Sequence, residues 1–112
     1  MGVVRVKPGV QFTIIAPGGF CILAAIQHAT EVLSLDLTIT SACDGMHSGP
    51  EDPHHRGEAY DIHTYGMTND QKQAVLTAIS EKLGPRFYCF LESPGTDNEH
   101  IHCQVKKGTI YP

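Results

Sequence analysis

Two short segments of this 112-residue chain concentrate side chains that can bind a metal ion and transfer protons. The first contains His54 and Asp61, and the second, Glu99–His102, holds an acid and two histidines. Two imidazoles and one carboxylate leave the fourth position of a tetrahedral zinc ion open to water, which is the arrangement of hydrolytic zinc sites. We therefore predict that His54, Asp61 and His102 bind zinc, with iron in a two-histidine, one-carboxylate site as the rival metal.

Strand geometry places these three residues on one side of a sheet. The residue pattern predicts strands over 58–64 and 99–105. Because side chains alternate along a strand, Asp61 and His102 point away from the apolar positions of their strands, which we expect to form the core. Both then lie on the open side of the sheet, where the loop before the first strand delivers His54.

The remaining pattern is typical of a small α+β domain. Apolar residues at three- and four-residue steps predict helices over about 18–34 and 68–83. Further β-prone segments predict strands over 10–15, 37–41 and 87–91. The segment 87–91 is apolar on both faces, and we expect it at the centre of the sheet. We predict a single domain over residues 1–112, with two helices packed on a mainly antiparallel sheet and the zinc site on its open face.

Composition excludes several classes of protein. A net charge of −4, with Lys106-Lys107 as the only adjacent basic pair, argues against a nucleic-acid partner. The four cysteines contain no C-x-x-C pair, which argues against a structural zinc ribbon. Cys21, Cys89 and Cys103 lie in apolar stretches and are interpreted as buried thiols in a reducing compartment.

Neither a membrane span nor a signal peptide is expected. The apolar stretch from Val10 to Leu35 is interrupted by Pro17–Gly19 and carries polar residues, so we predict no membrane partner. The first nine residues lack an uninterrupted apolar segment followed by a cleavage site. We therefore expect a cytoplasmic protein, and a monomer.

The metal-site residues resemble a known family. His54-x-x-Gly57-x-Ala59-x-Asp61, followed by Glu99-x-x-His102, is similar to the motif of the zinc D-alanyl-D-alanine peptidases. That family includes vancomycin-resistance D,D-dipeptidases and phage L-alanyl-D-glutamate endopeptidases. The segment 37–41 also resembles the family strand that ends in Thr-Ser before the metal loop, so the resemblance spans about residues 20–105.

The resemblance implies roles for individual residues. His54, Asp61 and His102 would be the zinc ligands, and Glu99 the general base that takes a proton from water and passes it to the leaving amine. The substrate would be a peptidoglycan stem peptide or a small D-amino-acid peptide, reached at lysis if the protein is a phage-type enzyme. A regular strand places His100 on the face of His102, so His100 is the alternative base or a donor to the transition state.

The chain departs from the family pattern near the substrate. Asp52 stands where the family usually has serine, and the arginine expected shortly after the Thr-Ser strand is missing, with Asp44 near that place. Arg56 and His47 are the candidates for the missing substrate-binding group. The missing arginine favours one alternative, a metal-stabilised binding domain without turnover. A zinc amidohydrolase acting on a substrate outside the cell wall is the other.

Overall fold

A computed structural model describes residues 2–43 and 52–106 of the chain. Their elements, in chain order, are β1 (Val4–Val6), α1 (Pro17–Leu33), β2 (Leu37–Ser41), β3 (Ala59–His63), α2 (Asn69–Leu83), β4 (Phe87–Glu92) and β5 (His100–Val105). These five strands form one sheet in the order β1-β2-β3-β5-β4, in which only the β1–β2 pair is parallel. The predicted α+β class, with two helices on a mainly antiparallel sheet, is confirmed.

Both helices begin and end within one residue of their predicted bounds, because local sequence signals define their ends. Pro17 stands in the first turn of α1, where its missing N–H costs no hydrogen bond, and Ser34 ends the helix in a left-handed conformation. Thr68 and Gln71 form a reciprocal capping box at the start of α2, each side chain accepting from the other residue's N–H. Within the described residues neither helix combines the length and the hydropathy that a bilayer crossing needs.

The hydrophobic core lies between the two helices and one face of the sheet. Its largest fully buried contributors are Ile22 and Ile26 from α1, Val75 and Ile79 from α2, and Leu37, Ile39, Tyr60, Ile62 and Ile101 from the strands. Because strand side chains alternate, burying Ile62 and Ile101 against the helices turns Asp61 and His102 to the other face.

The strand predicted over 10–15 is wrong. The segment has no regular structure, and the short strand β1 precedes it. Its backbone carbonyls instead bond to the segments around the metal loop: Cys43 N donates to Gln11 O at 2.7 Å, and the Cys43 thiol to Ile14 O at 3.4 Å. The β-prone residues therefore bond to Cys43, just after the end of β2, and do not pair with the described strands of the sheet.

The predicted central position of the strand at 87–91 is also wrong, because β4 lies at the edge of the sheet and pairs only with β5. The apolar residues on the outer face of β4 stay exposed, and one of them lies beside a candidate metal ligand. Tyr88 and Phe90 face away from the core and stay 47% and 43% exposed, and the Phe90 ring lies 5.3 Å from the imidazole of His102. Phe90 thus covers a candidate metal ligand.

The cysteine prediction holds in part. Cys103 is buried and Cys89 half-buried, but Cys21 is exposed. Cys21 lies on α1 beside the buried stripe of Ile22 and Ala25, so its apolar surroundings in sequence do not place it in the core.

Candidate metal site

Two neighbouring strands and one loop bring the three predicted ligands together. β3 and β5 are paired antiparallel, with Asp61 directly opposite His102. The turn at 52–58, just before β3, supplies His54. The ligand atoms of these three side chains all lie within 4.8 Å of one another, so the group is able to hold a metal ion.

The turn that carries His54 is fixed by its own backbone and by the segment before α1. Asp52 accepts the N–H of His54 through its carboxylate at 2.9 Å, a capping role that a serine hydroxyl also performs. Gly57 has a positive φ of 71°, and its carbonyl accepts the N–H of Ala16 at 3.2 Å and the hydroxyl of Tyr60 at 3.3 Å. The turn is therefore docked against the start of α1 and against β3.

Hydrogen bonds orient the His54 ring for metal binding. Its Nδ1 lies 2.9 Å from the carbonyl of Ala42, so Nδ1 carries the hydrogen and donates it. The lone pair is then on Nε2, which lies 3.4 Å from Asp61 Oδ1. A carbonyl partner on the remote ring nitrogen is the common way in which proteins fix a metal-binding histidine.

His102 is oriented in the same manner by Gln104. The Nε2 of His102 lies 2.7 Å from Gln104 Oε1, which can only accept a hydrogen. With that hydrogen on Nε2, the lone pair of Nδ1 faces Asp61 Oδ1 at 2.8 Å. Two nitrogen lone pairs and a carboxylate oxygen therefore converge, and acceptors in such close contact are stable only with a cation, either a proton or a metal ion, between them.

The pKa shifts of Asp61 and His102 also favour a cation between these two side chains. Burial alone raises the pKa of Asp61, but its hydrogen bonds to His102 and His54 together hold that pKa well below its usual range. Burial lowers the pKa of His102, and the hydrogen bonds to Asp61 and Gln104 outweigh it, so that the net pKa is raised. Asp61 thus stays ionised while a positive charge is favoured beside it.

Two further side chains border the same group. Glu92 and His100 lie opposite each other on β4 and β5 and, together with His102, form a second group of potential ligands. Glu92 Oε1 lies 3.3 Å from His102 Nδ1 and 3.8 Å from His100 Nε2. Because His102 Nδ1 lies close to both Asp61 and Glu92, the two groups could contribute ligands to a single ion. Both groups line a cavity of about 330 Å³ that also contacts Asp52 and Asn98.

Glu92 was not predicted as a site residue. The predicted strand ends at Leu91, whereas β4 continues one residue further. Alternation along 87–92 would have put Glu92 on the face of Phe90, but nothing in the sequence reveals that this strand pairs with β5.

Glu99, the predicted base, lies just before β5 and turns towards other partners. Its Oε1 is 2.6 Å from Lys72 Nζ and accepts the hydroxyl of Thr64, while its Oε2 accepts the N–H of Gly95 at 2.9 Å. The hydrogen bond from Lys72, with those from Thr64 and Gly95, lowers the pKa of Glu99 to about 2. Glu99 is absent from the residues that line the 330 Å³ cavity.

Of the three predicted substrate-binding residues, Arg56 alone belongs to the described part of the chain. Arg56 Nε contacts Glu58 Oε1 at 2.8 Å, and Arg56 is not among the residues lining the 330 Å³ cavity. His47 and Asp44 lie outside the described residues. A neighbouring cavity of about 500 Å³ shares Asp61, Asn98 and His100 with the first, and Lys7 and Glu99 also line it.

Comparisons with known proteins found no match: no family model, no curated protein and no solved structure matches the chain.

Proposed function

We propose that this protein is a zinc-dependent metallopeptidase that hydrolyses peptide bonds near D-amino acids in peptidoglycan stem peptides. The observation that carries the metal chemistry is the convergence of His54 Nε2, Asp61 Oδ1 and His102 Nδ1 beside a cavity. The choice of substrate class rests on the resemblance of the two sequence motifs to the D-alanyl-D-alanine peptidases.

The donor set fits zinc. Two atoms that each lie about 2.1 Å from a tetrahedral ion are roughly 3.4 Å apart. His54 Nε2 and Asp61 Oδ1 are already 3.4 Å apart, and the 2.8 Å between His102 Nδ1 and Asp61 Oδ1 needs a small opening. When bound, zinc lowers the pKa of a water and polarises the carbonyl of the substrate.

The side chains around the ligands supply the rest of the chemistry. His100 Nδ1 donates to the Asn98 carbonyl at 2.7 Å, which turns Nε2 into the cavity beside Asp61. Lys7 has no ion-pair or side-chain hydrogen-bond partner among residues 2–43 and 52–106, and it lines the neighbouring cavity. In the proposed enzyme Lys7 attracts the carboxylate of a stem peptide, in place of the family arginine.

Elemental analysis and zinc titration of the purified protein test the metal site. We expect one zinc per chain in the wild type and its loss in His102→Ala. His63→Ala is the matched control, because His63 lies on the same face of β3 but belongs to neither ligand group. Zinc near zero in freshly purified wild type, or equal zinc in both variants, would contradict the proposal.

A muropeptide digest followed by mass spectrometry tests the reaction. We expect new amino termini at bonds next to a D-amino acid, dependent on zinc and lost in His102→Ala. Products cut elsewhere, or no products from zinc-loaded protein, would contradict the peptidase assignment.

One observation favours a second function, a metal-stabilised binding domain. Either Glu92 or His100 stands close enough to the ligand group to fill the one remaining position of a tetrahedral ion, and a fully closed site is typical of structural zinc. A zinc-loaded protein that is inert on muropeptides, and whose thermal midpoint falls strongly on chelation, would favour this domain.

A further inference from the structure

The residue expected to act as base is held by three other groups. One Glu99 oxygen is shared by Lys72 and Thr64, and the other accepts from Gly95. These contacts tie α2, the end of β3 and the loop before β5 to a single carboxylate that is only 11% exposed. Protonation of Glu99 would weaken this network, because the Lys72 ammonium donates a charge-assisted hydrogen bond that favours the ionised carboxylate.

Glu92 contacts a candidate ligand directly, whereas Glu99 lines the neighbouring cavity of about 500 Å³, beside Asp61 and His100. Glu92 lies on β4 directly opposite His100, and its Oε1 is 3.3 Å from the Nδ1 of His102. It lines the 330 Å³ cavity together with all three candidate ligands. Its side chain is 39% exposed, so the carboxylate reaches the ligand atoms and solvent at the same time.

The ligand count allows two roles for Glu92. His54, Asp61 and His102 already provide the three protein ligands of a catalytic zinc site, whose fourth position takes water. Those three side chains come from β3, β5 and the docked turn, whereas Glu92 approaches from the edge strand β4. The partly exposed Glu92 carboxylate can contact that water, but its 3.3 Å distance from His102 Nδ1 also suits a fourth ligand, so the measured zinc affinity separates the two roles.

We propose that Glu92, and not Glu99, is the carboxylate that accepts the proton of the attacking water in the hydrolysis proposed above. An O–H bond of the water breaks and its proton passes to Glu92, while the water oxygen bonds to the carbonyl carbon. The attack opens the C=O π bond to an oxyanion; this bond re-forms as the C–N bond breaks and Glu92 returns the proton to the leaving nitrogen. One water is consumed, and the products are a carboxylic acid and an amine, which ionise to a carboxylate and an ammonium group. Glu99 instead is a positioning residue that fixes the loop leading into β5.

The test compares two isosteric variants, Glu92→Gln and Glu99→Gln, with Asp61→Asn as the ligand control. For Glu92→Gln we expect one zinc per chain with an affinity within about threefold of wild type, and hydrolysis of purified muropeptides reduced roughly 10²- to 10⁴-fold. For Glu99→Gln we expect hydrolysis within about tenfold of wild type and a lower thermal midpoint, since a structural network is lost. Asp61→Asn should weaken zinc binding at least roughly tenfold.

Each result decides between the roles. Zinc binding as weak in Glu92→Gln as in Asp61→Asn would make Glu92 a ligand and overturn the inference, whether or not the protein is active. Hydrolysis that survives in Glu92→Gln but is lost in a folded, zinc-loaded Glu99→Gln would return the role to Glu99. This inference rests on the proposed function: a zinc-loaded wild type inert on muropeptides overturns both, whereas an active wild type with an active Glu92→Gln overturns this inference alone.

Discussion

Replacing Gly57 with alanine should distort the metal site without unfolding the protein. Gly57 has a φ of 71°, and a Cβ built there would lie well inside 3.0 Å of the Ile14 carbonyl oxygen, a distance that real Cβ contacts essentially never show. The obstructing atoms belong to backbone and cannot rotate away. Either the turn that carries His54 or the segment before α1 must therefore move by more than half an ångström.

Gly66 provides the matched control, because it has a φ of 81° and nothing within 4 Å of a built Cβ. Gly66→Ala meets only the left-handed backbone penalty, about 1–2 kcal/mol. Gly57→Ala meets the same penalty plus a backbone displacement of the kind that costs about 1–3 kcal/mol in an overpacked core. The total of roughly 2–5 kcal/mol stays below the stability of a typical domain of this size, so the variant folds.

Urea unfolding followed by circular dichroism, with chelator present, measures the two free energies of unfolding. Zinc titration then measures the zinc affinity of the same proteins. We expect roughly 10- to 100-fold weaker binding in Gly57→Ala, the loss seen when supporting contacts are removed from other metal sites, and no change in Gly66→Ala. If the two variants lose equal stability and bind zinc equally well, the close approach of Gly57 to Ile14 does not position His54, and the reasoning is refuted.

Three further outcomes follow from local contacts. The hydrogen bonds of Glu99, first that from Lys72, lower its pKa from 4.5 to about 2. The ionised carboxylate therefore contributes fully to the stability of the fold above about pH 5, and this contribution is lost as the pH falls to about 2. The difference in thermal midpoint between wild type and Glu99→Gln should shrink over the same pH range. Thr68→Ala removes the cap of α2 and should lower the free energy of urea unfolding by about 1 kcal/mol; no loss would mean that the capping box is not formed. The Sγ atoms of Cys89 and Cys103 are 3.4 Å apart, so oxidised glutathione should join them, seen as a loss of two hydrogens by mass spectrometry that persists in Cys21→Ser and is absent in Cys89→Ser.

Much of the fold could be predicted because its signals are local. The capping box at Thr68, the left-handed stop at Ser34 and the alternation in β2 all lie within a few residues of what they define. The shared face of Asp61 and His102 was also accessible, since burying the apolar face of each strand leaves only one side for the polar residues.

The rest depended on contacts between distant segments. Strand order is a tertiary property, so the apolar face of β4 gave no sign that Phe90 covers His102 at the edge of the sheet. The partner of Glu99 is Lys72, which lies in another element, and no spacing rule connects them. Likewise, Glu92 acquires its place beside His100 only from the register of β4 on β5.

The edge position of β4 makes Glu92 and Phe90 less firmly held than the three candidate ligands, which lie on the central strands and the docked turn. The strands that carry Asp61 and His102 each have a neighbour on both sides, whereas β4 is bonded along one side only. Edge strands open in small fluctuations that central strands do not share, and amide hydrogen exchange measures this difference. Fraying of β4 would withdraw Glu92 and Phe90 while His54, Asp61 and His102 stay assembled. On gentle warming, the exchange rates of the β4 amides should therefore rise first, and in the proposed zinc enzyme turnover should fall before the metal is released.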